Sequence, residues 1–110
     1  MNYQHQDLAA GRGQQLTFFE QMANIASEVE RSLNWRDRNN PAYSRRAFER
    51  ALELMDLTLA AARRPSSLRE LARVREALVD YFAGNNEYAS SDAAWKRYFS
   101  PFIYAARRHY

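Results

Sequence analysis

Apolar residues recur along this chain at helical rather than strand spacing. Phe18, Met22, Ile25, Val29 and Leu33 are separated by steps of 4, 3, 4 and 4, which lines them up on one side of an α-helix. Thr17 followed by Glu20 three residues later fits a capping box at its start. Asn39, Asn40 and Pro41 end it, and Pro41 suits the first position of a second helix capped by Asn40. That helix carries Phe48, Leu52, Met55 and Leu59, widened by a flank of Ala47, Ala51, Leu54 and Leu57. Its apolar face is broad enough to meet more than one neighbour. Arg63, Arg64 and Pro65 stop it. Ser67 and Glu70 form another capping box, ahead of a third stripe at Leu71, Val74, Leu78 and Phe82. Gly84 is the expected left-handed cap of this helix. After a loop, Ser90 or Ser91 caps a fourth helix with the stripe Trp95, Tyr98, Phe99, Phe102 and Ala106, which Pro101 is expected to bend. No stretch alternates as a half-buried strand does. The pattern predicts an all-α fold, an up-down antiparallel four-helix bundle over residues 14–110, preceded by a polar, flexible segment 1–13.

Composition narrows the class of protein. With 110 residues there is material for one domain. The absence of cysteine rules out a disulfide scaffold and a thiolate metal site. No apolar run approaches the roughly 20 residues of a membrane span, and the polar start does not read as a signal peptide. A soluble cytoplasmic domain with no membrane contact is the expectation. The charge balance is unusual, with fifteen arginines, one lysine (Lys96) and thirteen acids giving net +3. Its distribution says more than its total. Residues 31–50 carry net +4 and residues 95–110 another +4, whereas 1–30 come to −3 and 51–94 to −2. Arg36, Arg38, Arg45 and Arg46 near the first helix junction, with Arg107 and Arg108 at the end, are the candidate basic patch. Arginine beside aromatic residues can grip phosphate and stack on bases, so an anion or nucleic acid is the alternative partner.

Catalytic constellations are sparse. Glu49, Glu53 and Asp56 share one side of the second helix, and Glu76 and Asp80 repeat a four-residue spacing on the third. Facing carboxylates in a bundle could hold a hard cation and a nucleotide's phosphates. Glu53 and Asp56 resemble half of the acidic motif of all-α nucleotide pyrophosphohydrolases of the MazG type, which implies a metal-dependent nucleotide hydrolase as a second alternative. The preceding Glu-x-x-Glu of that motif has no counterpart. His5 and His109 have no nucleophile arranged beside them, and Gly11, Arg12 and Gly13 are too few for a phosphate loop. No cofactor is expected. The loop Asn85, Asn86, Glu87 and Tyr88 reads as a capping turn in which Asn side chains bond the backbone and Tyr88 packs on the bundle end. On a rigid scaffold it could also serve recognition.

Three resemblances bear on the fold. The short bundle resembles HEPN domains in architecture, but their Arg-to-His nuclease spacing is not met, because Arg107 and Arg108 adjoin His109. Residues 48–54 resemble the second helix of a TPR hairpin, without a 34-residue repeat. Asn34 and Trp35, then residues 47–58, 75–82 and 84–88 together look like a group of short bacterial all-helical proteins of unassigned function. That likeness implies the helical fold and no activity. The expectation is a small non-catalytic interaction or scaffold protein, joined to a protein partner or to a second copy of itself.

Overall fold

Residues 17–108 are described by the structure, a computed structural model. The segment 1–13, His5, His109 and Tyr110 lie outside the described residues, as do the side chains of Ala106 and Arg108. Among the described residues four helices follow one another: α1 (Phe18–Asp37), α2 (Pro41–Ala61), α3 (Pro65–Ala83) and α4 (Asp92–Arg108). They form an all-α four-helix bundle in which α1 packs against both α2 and α4, and α2 packs against α3. No helix among the described residues is long and apolar enough to cross a membrane.

The boundaries follow from capping chemistry. Thr17 Oγ1 accepts from the Glu20 N–H at 3.0 Å while the Glu20 carboxylate accepts from the Thr17 N–H at 2.8 Å, so two orphan donors are satisfied reciprocally. At the other end of α1, Asn39 takes a left-handed φ of 60°. Its N–H bonds the Arg36 carbonyl and the Asn40 N–H bonds the Trp35 carbonyl, the paired closure of a Schellman turn. Asn40 then caps α2, its side chain accepting from the Tyr43 N–H at 3.1 Å, with Pro41 at the first helical position. Ser91 caps α4 through the Ala94 N–H at 3.1 Å, and α4 runs on past Pro101.

Two expected caps are replaced. α3 starts at Pro65, with Arg64 as a cap that makes no side-chain bond; the fixed φ of proline sets the first turn two residues before Ser67 could. Glu70, freed from a capping box, accepts from the Tyr98 hydroxyl of α4 at 2.5 Å. Gly84 is extended (φ −109°, ψ −152°) rather than left-handed. Its lack of a side chain is needed for close approach, because a Cβ there would lie 3.0 Å from the Asp80 carbonyl oxygen and 3.1 Å from its Cα. In the loop that follows, the left-handed positions are Asn86 (φ 56°) and Ala89 (φ 54°).

The stripes meet in one core: Met22, Ile25, Ala26, Val29 and Leu33 of α1; Phe48, Ala51, Leu54 and Met55 of α2; Leu71, Val74 and Leu78 of α3; Trp95 and Phe99 of α4. On α2 Phe48 and Met55 of the expected stripe are buried, and the buried face is rotated from it toward the expected flank, adding Ser44, Ala47, Ala51, Leu54 and Thr58. Leu52 and Leu59 are half-buried and Leu57 is 42% exposed. The rotation brings small residues to the α1–α2 crossing. There the Ser32 hydroxyl donates to the Ser44 carbonyl and the Ser44 hydroxyl to the Ser32 carbonyl, both at 2.8 Å. Buried hydroxyls with partners on the opposite backbone let the helices approach without leaving polar groups unpaired.

Candidate functional site

The turn between α1 and α2 places two aromatic side chains on the surface. Trp35 supplies the carbonyl that closes α1, and Tyr43 supplies the N–H capped by Asn40, so the turn fixes both backbones. Neither ring belongs to an apolar stripe. They meet edge to face, with centroids 4.8 Å apart, and Tyr43 is 45% exposed. Arginines surround the pair. The Arg38 guanidinium lies 5.5 Å from the Trp35 ring and that of Arg46 lies 4.6 Å from the Tyr43 ring. Arg50 completes a surface depression of about 340 Å³ with Trp35, Tyr43 and Arg46. It also pairs with Glu28 at 3.3 Å, an acid shared with Arg31 at 3.1 Å. Stacking holds the guanidinium planes while leaving their N–H edges available for an incoming acceptor.

The other basic candidates lie away from this corner. Arg36 belongs to a clasp at one end of the bundle: it bonds the Tyr81 hydroxyl at 3.1 Å and Asp92, and Tyr81 bonds the same Asp92 oxygen. Its guanidinium also lies 5.1 and 5.2 Å from the Tyr81 and Phe82 rings. Three helices are joined by this group. Partial burial alone would raise the Asp92 carboxyl, but the bonds from Tyr81 and Arg36 outweigh it and hold the group below its ordinary value of 3.8. Arg45 lines a depression between α2 and α3 with Phe48, Glu49, Leu52 and Phe82, and Arg36 lines it too. Arg107 lines a groove between α1 and α4, and the Arg108 side chain is outside the described residues. The cluster of four near the junction therefore reduces to Arg38 and Arg46, joined by Arg50.

Two of the five candidate acids, Asp56 and Asp80, hold the fold together. Asp56 pairs with Arg75 of α3 at 2.9 Å. The Asp80 carboxylate accepts from the Glu87 and Tyr88 N–H groups at 2.8 and 3.1 Å, which ties the 84–91 loop to α3. Glu49, Glu53 and Glu76 are exposed, and no group of three among the described residues is arranged to hold a metal ion. Within the loop Asn86 bonds both the N–H and the carbonyl of Ser90, at 2.8 and 3.0 Å, as a capping turn requires. Asn85 and Glu87 are exposed. Tyr88 does not pack on the bundle end: it is 54% exposed, and a hydrogen bond to Glu76 raises its hydroxyl above the ordinary tyrosine value. The loop's carboxylate anchor leaves that ring outside.

The α1–α4 groove has a volume of about 460 Å³. Val29, Leu33, Trp95, Phe99 and Ile103 form its floor, and Glu30, Lys96, Arg97 and Arg107 its rim. Trp95 is 8% exposed and its indole N–H has no acceptor, a deficit of about 1–3 kcal/mol for a buried donor.

Sequence reasoning missed the Trp35–Tyr43 pair. The usable signal was two aromatics off the stripes, each within three residues of an arginine and on either side of one turn. Compared with protein-family models, with curated proteins and with solved structures, the chain matches none, so the likeness to short bacterial helical proteins rests on the quoted residues alone.

Proposed function

We propose that this chain is a cytoplasmic, non-catalytic helical interaction module whose binding surface is the α1–α2 corner. The observation that carries the reading is the composition of that corner. Trp35 and Tyr43, held by a capped turn, stand among Arg38, Arg46 and Arg50. Tryptophan, tyrosine and arginine are the residues that most often dominate binding energy at protein interfaces. The positive rim sets the partner's chemistry. Two copies meeting through this surface would oppose arginine to arginine, so the occupant that fits is an acidic segment of another protein. A second copy would meet elsewhere, at Leu57 (42% exposed) and Leu68 (37% exposed), one turn to either side of the α2–α3 connection. The engagement of Asp56, Asp80 and Asp92 in structural bonds supports a scaffold over a hydrolase.

A nucleic-acid reading draws on the same corner, since an exposed tyrosine and a half-buried tryptophan beside arginines also suit single-stranded bases and phosphates. Affinity capture from the native cell, with and without nuclease, separates the two. The wild-type chain is expected to retain an acidic protein after nuclease treatment, and the Arg38→Glu/Arg46→Glu variant to lose about tenfold or more of it, as reversing rim and hot-spot charges should. The same proteins recovered by both chains would remove the corner from the account. Recovery abolished by nuclease would assign it to nucleic acid.

A further inference from the structure

We infer, building on the α1–α2 corner proposed above, that its acidic partner presents a phosphorylated side chain whose phosphate sits between Arg46 and Arg50. Both guanidinium groups line one depression of about 340 Å³, and no acid lines it with them. They stand four positions apart on α2, a spacing at which like charges cost the helix a little unless an anion joins them. Each is braced. Arg46 rests on the Tyr43 ring at 4.6 Å, and among the described residues no acid pairs with it. Arg50 gives its Nε to Glu28 at 3.3 Å, which leaves both terminal nitrogens without a hydrogen bond among the described residues. A lone carboxylate against one exposed guanidinium gains little in water. A phosphomonoester brings a charge of about −1.5 to −2 and three acceptor oxygens, enough for two arginine forks at once. The other cations do not extend this seat into a track. Arg36 and Arg45 line the depression beside α3 and Arg107 the α1–α4 groove, whereas a nucleic-acid backbone needs a line of phosphate contacts. Arg38, 5.5 Å from the Trp35 ring, stands at the margin for an acid flanking the phosphorylated residue.

Fluorescence anisotropy of two labelled peptides, titrated with the full chain, tests the seat. One is Glu-Asp-pSer-Asp-Glu; the other, Glu-Asp-Asp-Asp-Asp-Glu, carries a matching charge on carboxylates alone. The phosphopeptide is expected to bind at least about tenfold more tightly, the margin of one added charge-assisted hydrogen bond. Arg46→Gln/Arg50→Gln should bring the two peptides within about twofold of each other. If the double variant perturbs folding by circular dichroism, Arg46→Gln alone should narrow the gap in the same direction. Arg45→Gln, at an exposed position of α2 outside the depression, should leave the preference intact. Failure of the phosphopeptide to bind, equal affinity of the two peptides, a preference that persists without Arg46, or an equal loss in Arg45→Gln would overturn the inference. Displacement of the phosphopeptide by an equimolar single-stranded RNA hexamer would overturn it too, by giving the seat to nucleic acid. Phosphatase treatment of the cell extract before capture keeps this outcome apart from that of the corner itself. The acidic partner is expected to be lost after treatment; one retained after treatment, yet still lost by Arg38→Glu/Arg46→Glu, overturns the phosphate and leaves the corner standing.

Discussion

Replacing Ile25 by alanine should destabilise the chain by about 2–5 kcal/mol, the cost of a buried cavity that its surroundings only partly fill. Ile25 is fully buried on α1, the helix that packs against both α2 and α4. A void there faces two interfaces, each fixed by capped helix ends, so neither partner can close it freely. For a domain near this size each kcal/mol lowers the melting temperature by roughly 4–8 °C, and calorimetry should register a loss of at least about 8 °C. Leu57→Ala is the control: it removes an aliphatic side chain from the exposed edge of α2 and should stay within about 0.5 kcal/mol of wild type. Equal effects at the two positions would mean that α1 is not the bundle's central helix.

Ser44→Leu should cost about 3 kcal/mol or more, for a different reason. The Ser32 and Ser44 hydroxyl oxygens lie 3.0 Å apart at the α1–α2 crossing. A leucine there must push the helices apart, an overpacking cost of about 1–3 kcal/mol, and it removes the hydroxyl that donates to the Ser32 carbonyl, adding about 1–3 kcal/mol. Denaturant unfolding measures the loss. Ser44→Ala should cost less, about 1–2 kcal/mol, and in the Ser32→Ala/Ser44→Ala double variant the two costs should fall short of additive, because either change already removes the contact between the two hydroxyls. The larger variant has a local consequence as well. Splaying α1 from α2 separates Trp35 from Tyr43, so near-ultraviolet circular dichroism should lose aromatic signal in Ser44→Leu and keep it in Ser44→Ala. Wild-type stability in Ser44→Leu would show that the helices do not cross at these serines.

The helices were legible because each carries both a stripe and a punctuation mark. Thr17 with Glu20, and Asn40 with Pro41, are local signals whose hydrogen bonds lie within three residues, and such signals survive in any tertiary context. The misses were of another kind. Ser67 lost its cap because Pro65 begins the helix earlier, a competition between two valid local rules. Gly84 is spared a side chain by the nearness of the Asp80 backbone, not by its own torsions. The clasp of Arg36, Tyr81 and Asp92 joins residues 45 and 56 positions apart, beyond the reach of any spacing rule. The basic patch divides for the same reason: Arg36, Arg38, Arg45 and Arg46 are close in sequence, yet helical geometry sets Arg36 and Arg45 on the depression beside α3 and Arg38 and Arg46 at the α1–α2 corner. The aromatic pair that anchors the proposed surface required the turn's three-dimensional path, since Trp35 and Tyr43 belong to different helices.

The most direct test of the interaction surface is photocrosslinking in the native cell, with p-benzoylphenylalanine replacing Tyr43 in one chain and Tyr88 in another. Both rings are about half exposed, but only Tyr43 lies at the arginine-lined corner. The prediction is a covalent adduct between position 43 and one acidic protein, absent at position 88 and abolished by Arg38→Glu/Arg46→Glu. No adduct at position 43, or the same adduct from both positions, or one indifferent to the charge reversal, would contradict the assignment of the α1–α2 corner as the surface through which this chain acts.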